Sequence, residues 1–132
     1  MRESNGDPKA TEPVPAGSSH PPGIGLMQIT WQGRDPSLYE PAKNIDRGCA
    51  ILSDSLKQVT AARNALSASQ RAALDAISPD ILYFAFGGYN AGPGDVVKSI
   101  QVQHDPDRYT TDHYCRGTLA IYNDYTAKSK AA

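Results

Sequence analysis

From Asn44 onward the chain carries apolar residues at helical intervals. Ile45, Cys49, Leu52, Leu56 and Val59 recur at steps of four, three, four and three, which predicts a helix with one apolar stripe. Gly48 interrupts that stripe. Glycine inside a helix costs about 1 kcal/mol relative to alanine, so its presence points to something packed closely against it. A second helix restarts in "SASQRAALDAI", where Ser67 and Gln70 stand at capping-box spacing. Ser78 and Pro79 read as the N-cap and first position of a third helix running through "DILYFAFGGYN". "AGPG" breaks it, and "DVVKSI" predicts a short helix beyond. In "TTDHYCRGTLAIYNDY", Thr111 is the expected cap, and Tyr114, Leu119, Tyr122 and Tyr125 are expected to supply much of a buried face.

The region before Asn44 is of a different kind. Gly6, Pro8, Pro13, Pro15, Gly17, Pro21, Pro22 and Gly23 forbid a helix over residues 5–23 and predict an irregular surface loop. The apolar run in "GIGLMQITW" predicts a small strand or hairpin, and "QGRDPSLYEP" is loop again. The expected fold is therefore mainly α, a helical bundle with a small β element near residues 24–31, in one domain over residues 1–132.

Composition narrows the function classes. A formal net charge of −1, with 13 scattered basic residues, offers no field for nucleic acid. No apolar stretch approaches the roughly 18 residues a membrane span needs. No signal-peptide pattern is visible either. Cys49 and Cys115 lie too far apart for a zinc site, and read as two partly buried thiols or, in an oxidising compartment, one long-range disulfide. His20, His104 and His113 lack metal-ligand spacing and are expected on the surface. "HDPDRYTTD" holds three aspartates, a weak calcium signal, and "GPGD" lacks the lysine and preceding strand of a phosphate loop. No metal and no cofactor are expected.

Three short segments are unusual: "RES", "GIGLMQIT" and "GGYNAGPG". Each alone has an ordinary explanation: a solvated Glu3, Met27 in core packing, a helix C-cap at Asn90. In order, however, Glu3-Ser4, Gly25 to Ile29, Asn44-Ile45 with Gly48, Tyr89-Asn90-Ala91-Gly92 with Gly94, and Tyr114 form one pattern. It resembles the soluble lytic transglycosylase (SLT) domains and the related goose-type lysozymes, and the resemblance covers nearly the whole chain.

That resemblance implies an α+β lysozyme-like fold and cleavage of peptidoglycan glycan strands outside the cytoplasm, by a secreted, periplasmic or virion-associated protein. It implies Glu3 as the catalytic general acid and base. Met27 and Gln28 would line the sugar cleft, against a bland reading of core packing. Tyr89 would orient Glu3 or the sugar rather than merely cap a helix. Asn90 would bond an N-acetyl group or cap a helix, and Tyr114 is the last-helix tyrosine of the family. Trp31 is a candidate for stacking on a sugar, though a tryptophan after an apolar strand is more often core. A monomer is expected, although nothing in the sequence fixes the oligomeric state.

The chain also departs from the family. The catalytic glutamate there ends a long helix, whereas only Met1 and Arg2 precede Glu3 here; a weakened core and a looser Glu3 are the expected result. Thr110 stands where related transglycosylases carry a glutamate. Goose-type lysozymes carry aspartates where this chain has Ser19 and Thr30, leaving Asp35 as a substitute only if its loop folds back. Glu12 and Glu40, the other two glutamates, have no evident role as partners. A single carboxylate favours transglycosylation over hydrolysis. The alternatives are a goose-type muramidase on the same bond and a catalytically silent glycan-binding or structural module.

Overall fold

The computed structural model describes residues 3–14, 16–18, 21–30 and 35–131. Ser19, His20 and Trp31, whose sequence expectations are a departure from the family, a surface histidine and a tryptophan in the core or against a sugar, lie outside the described residues. The chain divides into two compact units, Met1–Ile51 and Leu52–Ala132. Five α-helices and one two-stranded sheet are found among the described residues, so the fold is mainly α with a small β element.

The first unit is built around a short hairpin. Strand β1 (Gly23–Ile24) pairs antiparallel with β2 (Ile29–Thr30), Gly23 opposite Thr30 and Ile24 opposite Ile29. Thr11 adds an antiparallel bridge to Ile24. A 3₁₀ turn, Pro36–Tyr39, follows, with Asp35 as its N-cap. The core of this unit is Ile24, Ile29 and Leu38, against which Met27 and Ile51 pack. The boundary between the units falls within the long helix α1, Pro41–Asn64.

The second unit holds the rest of α1, then α2 (Ala68–Ile77), α3 (Ile81–Ala91), α4 (Pro93–Gln101), a 3₁₀ turn Pro106–Arg108 and α5 (Tyr114–Ala131). Helix α3 is buried without interruption from Tyr83 to Gly88, which marks it as the central helix of the unit. It packs on α4 and α5. Val59, Leu66, Leu74, Tyr83, Phe84, Ala85, Val96, Ile100 and Cys115 form the core.

Several expectations need correction in their details. The stripe of α1 is as predicted in its later part, where Val59 is buried and Leu52 and Leu56 pack on the core, but not at its start: Ile45 is 38% exposed and Cys49 is exposed, while Asn44 and Gly48 are buried, as is Ser55 further on. Over these first turns the buried face is rotated by about one residue, because close approach and hydrogen bonding rather than hydropathy decide which residues turn inward. The capping box of α2 stands as expected, with Ser67 and Gln70 bonded reciprocally. Helix α3 starts two residues later than predicted, because the Asp80 carboxylate accepts the Leu82 N–H and takes the N-cap, while Ser78 closes α2.

At α5, Thr110 rather than Thr111 serves the first turn: its hydroxyl oxygen accepts the Tyr114 N–H at 3.2 Å. Only Tyr114 of the expected aromatic face is buried. Leu119 is half-buried, Tyr122 tilts against Phe86 but stays largely exposed, and Tyr125 is 70% exposed. Cys49 and Cys115 are both free thiols, one exposed and one buried.

Candidate active site

In the first unit, Glu3 begins a tight turn and is half-buried, next to a buried Ser4. The Ser4 hydroxyl accepts the Gly6 N–H at 3.2 Å, and the Ser4 carbonyl accepts the Asp7 N–H at 3.0 Å. Asn5 and Gly6 both take left-handed backbone angles, φ 52° and 84°, which Asn and Gly tolerate best. Glu3 is thus followed at once by a turn with its own hydrogen bonds.

The Gly25–Gln28 turn links β1 to β2. Its chirality rests on Gly25 at φ +72° and Gln28 at φ +47°. A side chain at position 25 would strike the Asn44 carboxamide and come within 2.5 Å of the Leu38 carbonyl, so only glycine fits. Met27 is half-buried and joins the small core. The Gln28 side-chain amide donates to the Gly25 carbonyl at 2.8 Å and to the Ala10 carbonyl at 3.3 Å. Gln28 therefore braces the turn on which it sits.

Beneath the turn lies Asn44, which is wholly buried. Its Nδ2 donates to the carbonyls of Ile24 and Leu38, both at 2.8 Å, and its Oδ1 accepts the Met27 N–H at 2.6 Å. Sequence reasoning used Asn44 only as a motif residue. The signal for its role was available: an asparagine where a helix would otherwise turn an apolar residue inward needs partners for each of its polar atoms.

The remaining acidic side chains of this unit that were weighed as a second carboxylate each have a structural partner. The Glu12 carboxylate accepts the Gly23 N–H at 3.1 Å, and Glu40 pairs with Lys43 at 3.0 Å. The Asp35 carboxylate accepts the Ser37 N–H at 2.9 Å, and hydrogen bonding to Ser37 holds it below the usual carboxylate range. Asp35 lines two open clefts of about 310 Å³ each, one with Thr11, Pro22, Ile24, Pro36 and Tyr39, the other with Ser37, Leu38, Lys43 and Arg47.

In the second unit, Tyr89 and Asn90 occupy the last turn of α3, Tyr89 half-buried and Asn90 exposed. Gly92 ends that helix at φ 91°, ψ 139° and hands the chain to Pro93, the first residue of α4. The Asn90 Oδ1 accepts the Thr111 N–H at 3.2 Å, so Asn90 ties the end of α3 to the loop that leads into Tyr114. Tyr114 is buried at the head of α5. Asp112 and His113, just before it, are both left-handed, at φ 50° and 53°.

An acidic node holds this loop. The Asp107 carboxylate accepts the Thr110 hydroxyl at 2.7 Å, the Cys115 N–H at 2.7 Å and the Arg116 N–H at 3.3 Å. Thr110 is thereby committed to the fold. Burial pushes the Asp107 pKa up, but the hydrogen bonds from Cys115, Thr110 and Arg116 outweigh it, and the group sits below its ordinary value. Asp105 and Asp107 of "HDPDRYTTD" are thus occupied with hydroxyl and amide donors, and no cluster of His, Cys, Asp or Glu able to hold a metal ion is found among the described residues.

Glu3, Met27 and Gln28 belong to the first unit, and Tyr89, Asn90 and Tyr114 to the second. A family model, the transglycosylase SLT domain, matches residues 1–111, which include every one of these positions except Tyr114. The chain belongs to the transglycosylase SLT domain family. Its family chemistry is the transglycosylase-type cleavage of glycosidic bonds in peptidoglycan, a substrate that lies outside the cytoplasm. No helix among the described residues is long and apolar enough to cross a membrane. No curated protein and no solved structure matches the chain significantly. Within residues 1–111, positive-φ glycines stand at the turn after Glu3-Ser4 (Gly6), at the Gly25–Gln28 turn and at the end of α3 (Gly92).

Proposed function

We propose that this SLT domain is a lytic transglycosylase that cleaves the β-1,4 bond between N-acetylmuramic acid and N-acetylglucosamine, with Glu3 as its general acid and base. The observation that carries the reading is the ordered motif set from Glu3-Ser4 to Tyr89-Asn90-Ala91-Gly92, lying within a family match over residues 1–111.

The chemistry is economical in carboxylates. The Glu3 carboxyl gives its proton to the bridging oxygen as the bond from the muramic anomeric carbon to that oxygen breaks. The resulting carboxylate then takes the proton of the muramic C6 hydroxyl, whose oxygen bonds to the same anomeric carbon. A 1,6-anhydro ring closes, Glu3 regains its proton and no water is consumed. Well-oriented intramolecular attack reaches effective molarities of about 10⁵ M or more, which removes the need for a second carboxylate to position water. Proton donation near neutral pH requires that Glu3 titrate above the ordinary carboxylate range, as partial desolvation produces. Met27, Gln28, Tyr89, Asn90 and Tyr114 are the residues assigned to the substrate.

Hydrolysis of the same bond is the second reading. It is favoured by Asp35, an ionised carboxylate on open clefts. Mass spectrometry of fragments released from purified peptidoglycan separates the two. Fragments one water lighter than hydrolytic products, lost with Glu3→Gln, are the expected result. Reducing ends sensitive to Asp35→Asn would establish the muramidase instead. Cell-wall binding without release by a folded chain would reduce the protein to a binding module.

A further inference from the structure

We propose that Asn44 and Gly48 of α1 are positioning residues for cleavage, because together they fix where Met27 and Gln28 stand. The inference rests on the reading of this chain as a glycan-cleaving enzyme whose cleft includes that turn.

The two residues lie one helical turn apart on the same face of α1, and each grips a different part of the turn. Asn44 holds its backbone. Through one carboxamide it joins the end of β1 at the Ile24 carbonyl, the turn at the Met27 N–H and the end of the 3₁₀ turn at the Leu38 carbonyl. A carboxamide has two N–H donors and an acceptor oxygen, and here both donors and the oxygen are matched. Gly48 receives the Met27 side chain. A Cβ at position 48 would lie 2.8 Å from Cβ, Cγ and Cε of Met27. Movement of the methionine tip alone cannot relieve a contact at its Cβ, so the backbone of the turn has to shift.

The arrangement therefore sets both the height of the turn above α1 and the direction of Met27. It does so at a cost that stability alone does not explain: a buried polar side chain and a helix-weakening glycine occupy adjacent turns of a helix face that apolar residues would otherwise fill. Gln28, at φ +47°, is carried by the same turn.

Gly48→Ala provides a test that a merely structural role fails to reproduce, since alanine is the better helix former. Its kcat/KM for release of soluble glycan fragments is expected to fall at least about tenfold, where a 1 Å misplacement can cost on the order of 100-fold. The loss should largely vanish when Gly48→Ala is compared with wild type in a Met27→Gly background, where the Cβ, Cγ and Cε that meet the new methyl are all removed. Asn44→Ala is expected to lose kcat/KM more than Leu74→Ala, a core truncation in the second unit, with both assayed well below their melting temperatures. If Asn44→Ala does not fold, the Gly48→Ala cycle decides. A wild type that cleaves, with Gly48→Ala as active as wild type or equally impaired without Met27, overturns the positioning role alone. A wild type that releases no fragments removes the underlying reading.

Discussion

The Tyr83 hydroxyl donates to the Asp107 carboxylate at 3.1 Å, and to that of Asp105 at 2.7 Å, joining the central helix α3 to the 3₁₀ turn ahead of α5. Burial, then hydrogen bonding to Asp105, pushes the Tyr83 pKa far up, so the phenol keeps its proton throughout the working range. Asp107 in turn receives the first amides of α5. This node is the polar fastening of the last helix, and hydrogen bonds to a charged group contribute about 1.5–3 kcal/mol each.

Asp107→Ala is expected to lower unfolding free energy by roughly 3 kcal/mol, because it strands the Cys115 and Arg116 amides and leaves the Thr110 hydroxyl, as a donor, only its longer bond to the Asp107 carbonyl. The loss should depend on pH. The folded carboxyl of Asp107 titrates below its ordinary value. Its contribution is therefore fully present above the unfolded value of about 3.9 and fades as pH falls through the lower folded value. Urea titrations at neutral pH and at pH 2–3 should show wild type and Asp107→Ala converging in acid. A gap that stays constant would locate the stabilisation elsewhere.

Gly88 and Ser55 should prove energetically coupled. A Cβ at position 88 would collide with the Ser55 Oγ, which itself donates to the Ala85 carbonyl at 2.9 Å. Gly88→Ala alone is expected to cost about 1–3 kcal/mol by overpacking, despite the better helix propensity of alanine. In the Ser55→Ala background that cost should shrink by about 1 kcal/mol or more. Additive losses in a four-way thermal-denaturation cycle would count against the close contact.

Gly92 tests backbone strain without packing. A Cβ at this position would meet no heavy atom within 4 Å, yet the φ of 91° with ψ of 139° belongs to a region that L side chains avoid. Gly92→Ala should cost about 1–3 kcal/mol, and Gly94→Ala, equally open and without a positive φ, should cost little. Equal melting temperatures for the two variants would refute the strain argument.

The two cysteines should differ sharply toward a thiol reagent. Cys49 is exposed, while burial and then the hydrogen bond to Asp107 push the Cys115 thiol well up. One thiol per chain is expected to react in native buffer and the second only in denaturant, each assigned by peptide mapping. Rapid native labelling at Cys115 would contradict the packing of α5.

Much of this architecture was legible in the sequence because it depends on local chemistry. Ser67 with Gln70, the proline density that keeps helix out of the described residues between 5 and 22, and the "AGPG" break act within a few residues of themselves, and each reads correctly. What periodicity misjudged was decided by partners distant in sequence. Asn44 turns inward because three backbone groups await it, and Ile45 is left outside. Asp80 captures the start of α3 from Ser78, and Thr110 displaces Thr111 because Asp107 holds its hydroxyl. The candidate site shows the same division. Its motifs are visible as spelled residues, but that Gln28 spends its amide on the Gly25 and Ala10 carbonyls, and Asn90 its oxygen on Thr111, is a matter of three-dimensional pairing.

The inward face of α1 carries a warning for anyone who would improve this protein. Asn44, Gly48 and Ser55 look like blemishes in an amphipathic helix, and a redesign guided by hydropathy would put leucine at 44 and 55 and alanine at 48. Such a helix would score better in isolation and would have nowhere to put its new side chains. Along this face what the fold needs is clearance and hydrogen-bond geometry, so a helix improved by hydropathy there is a helix that no longer fits.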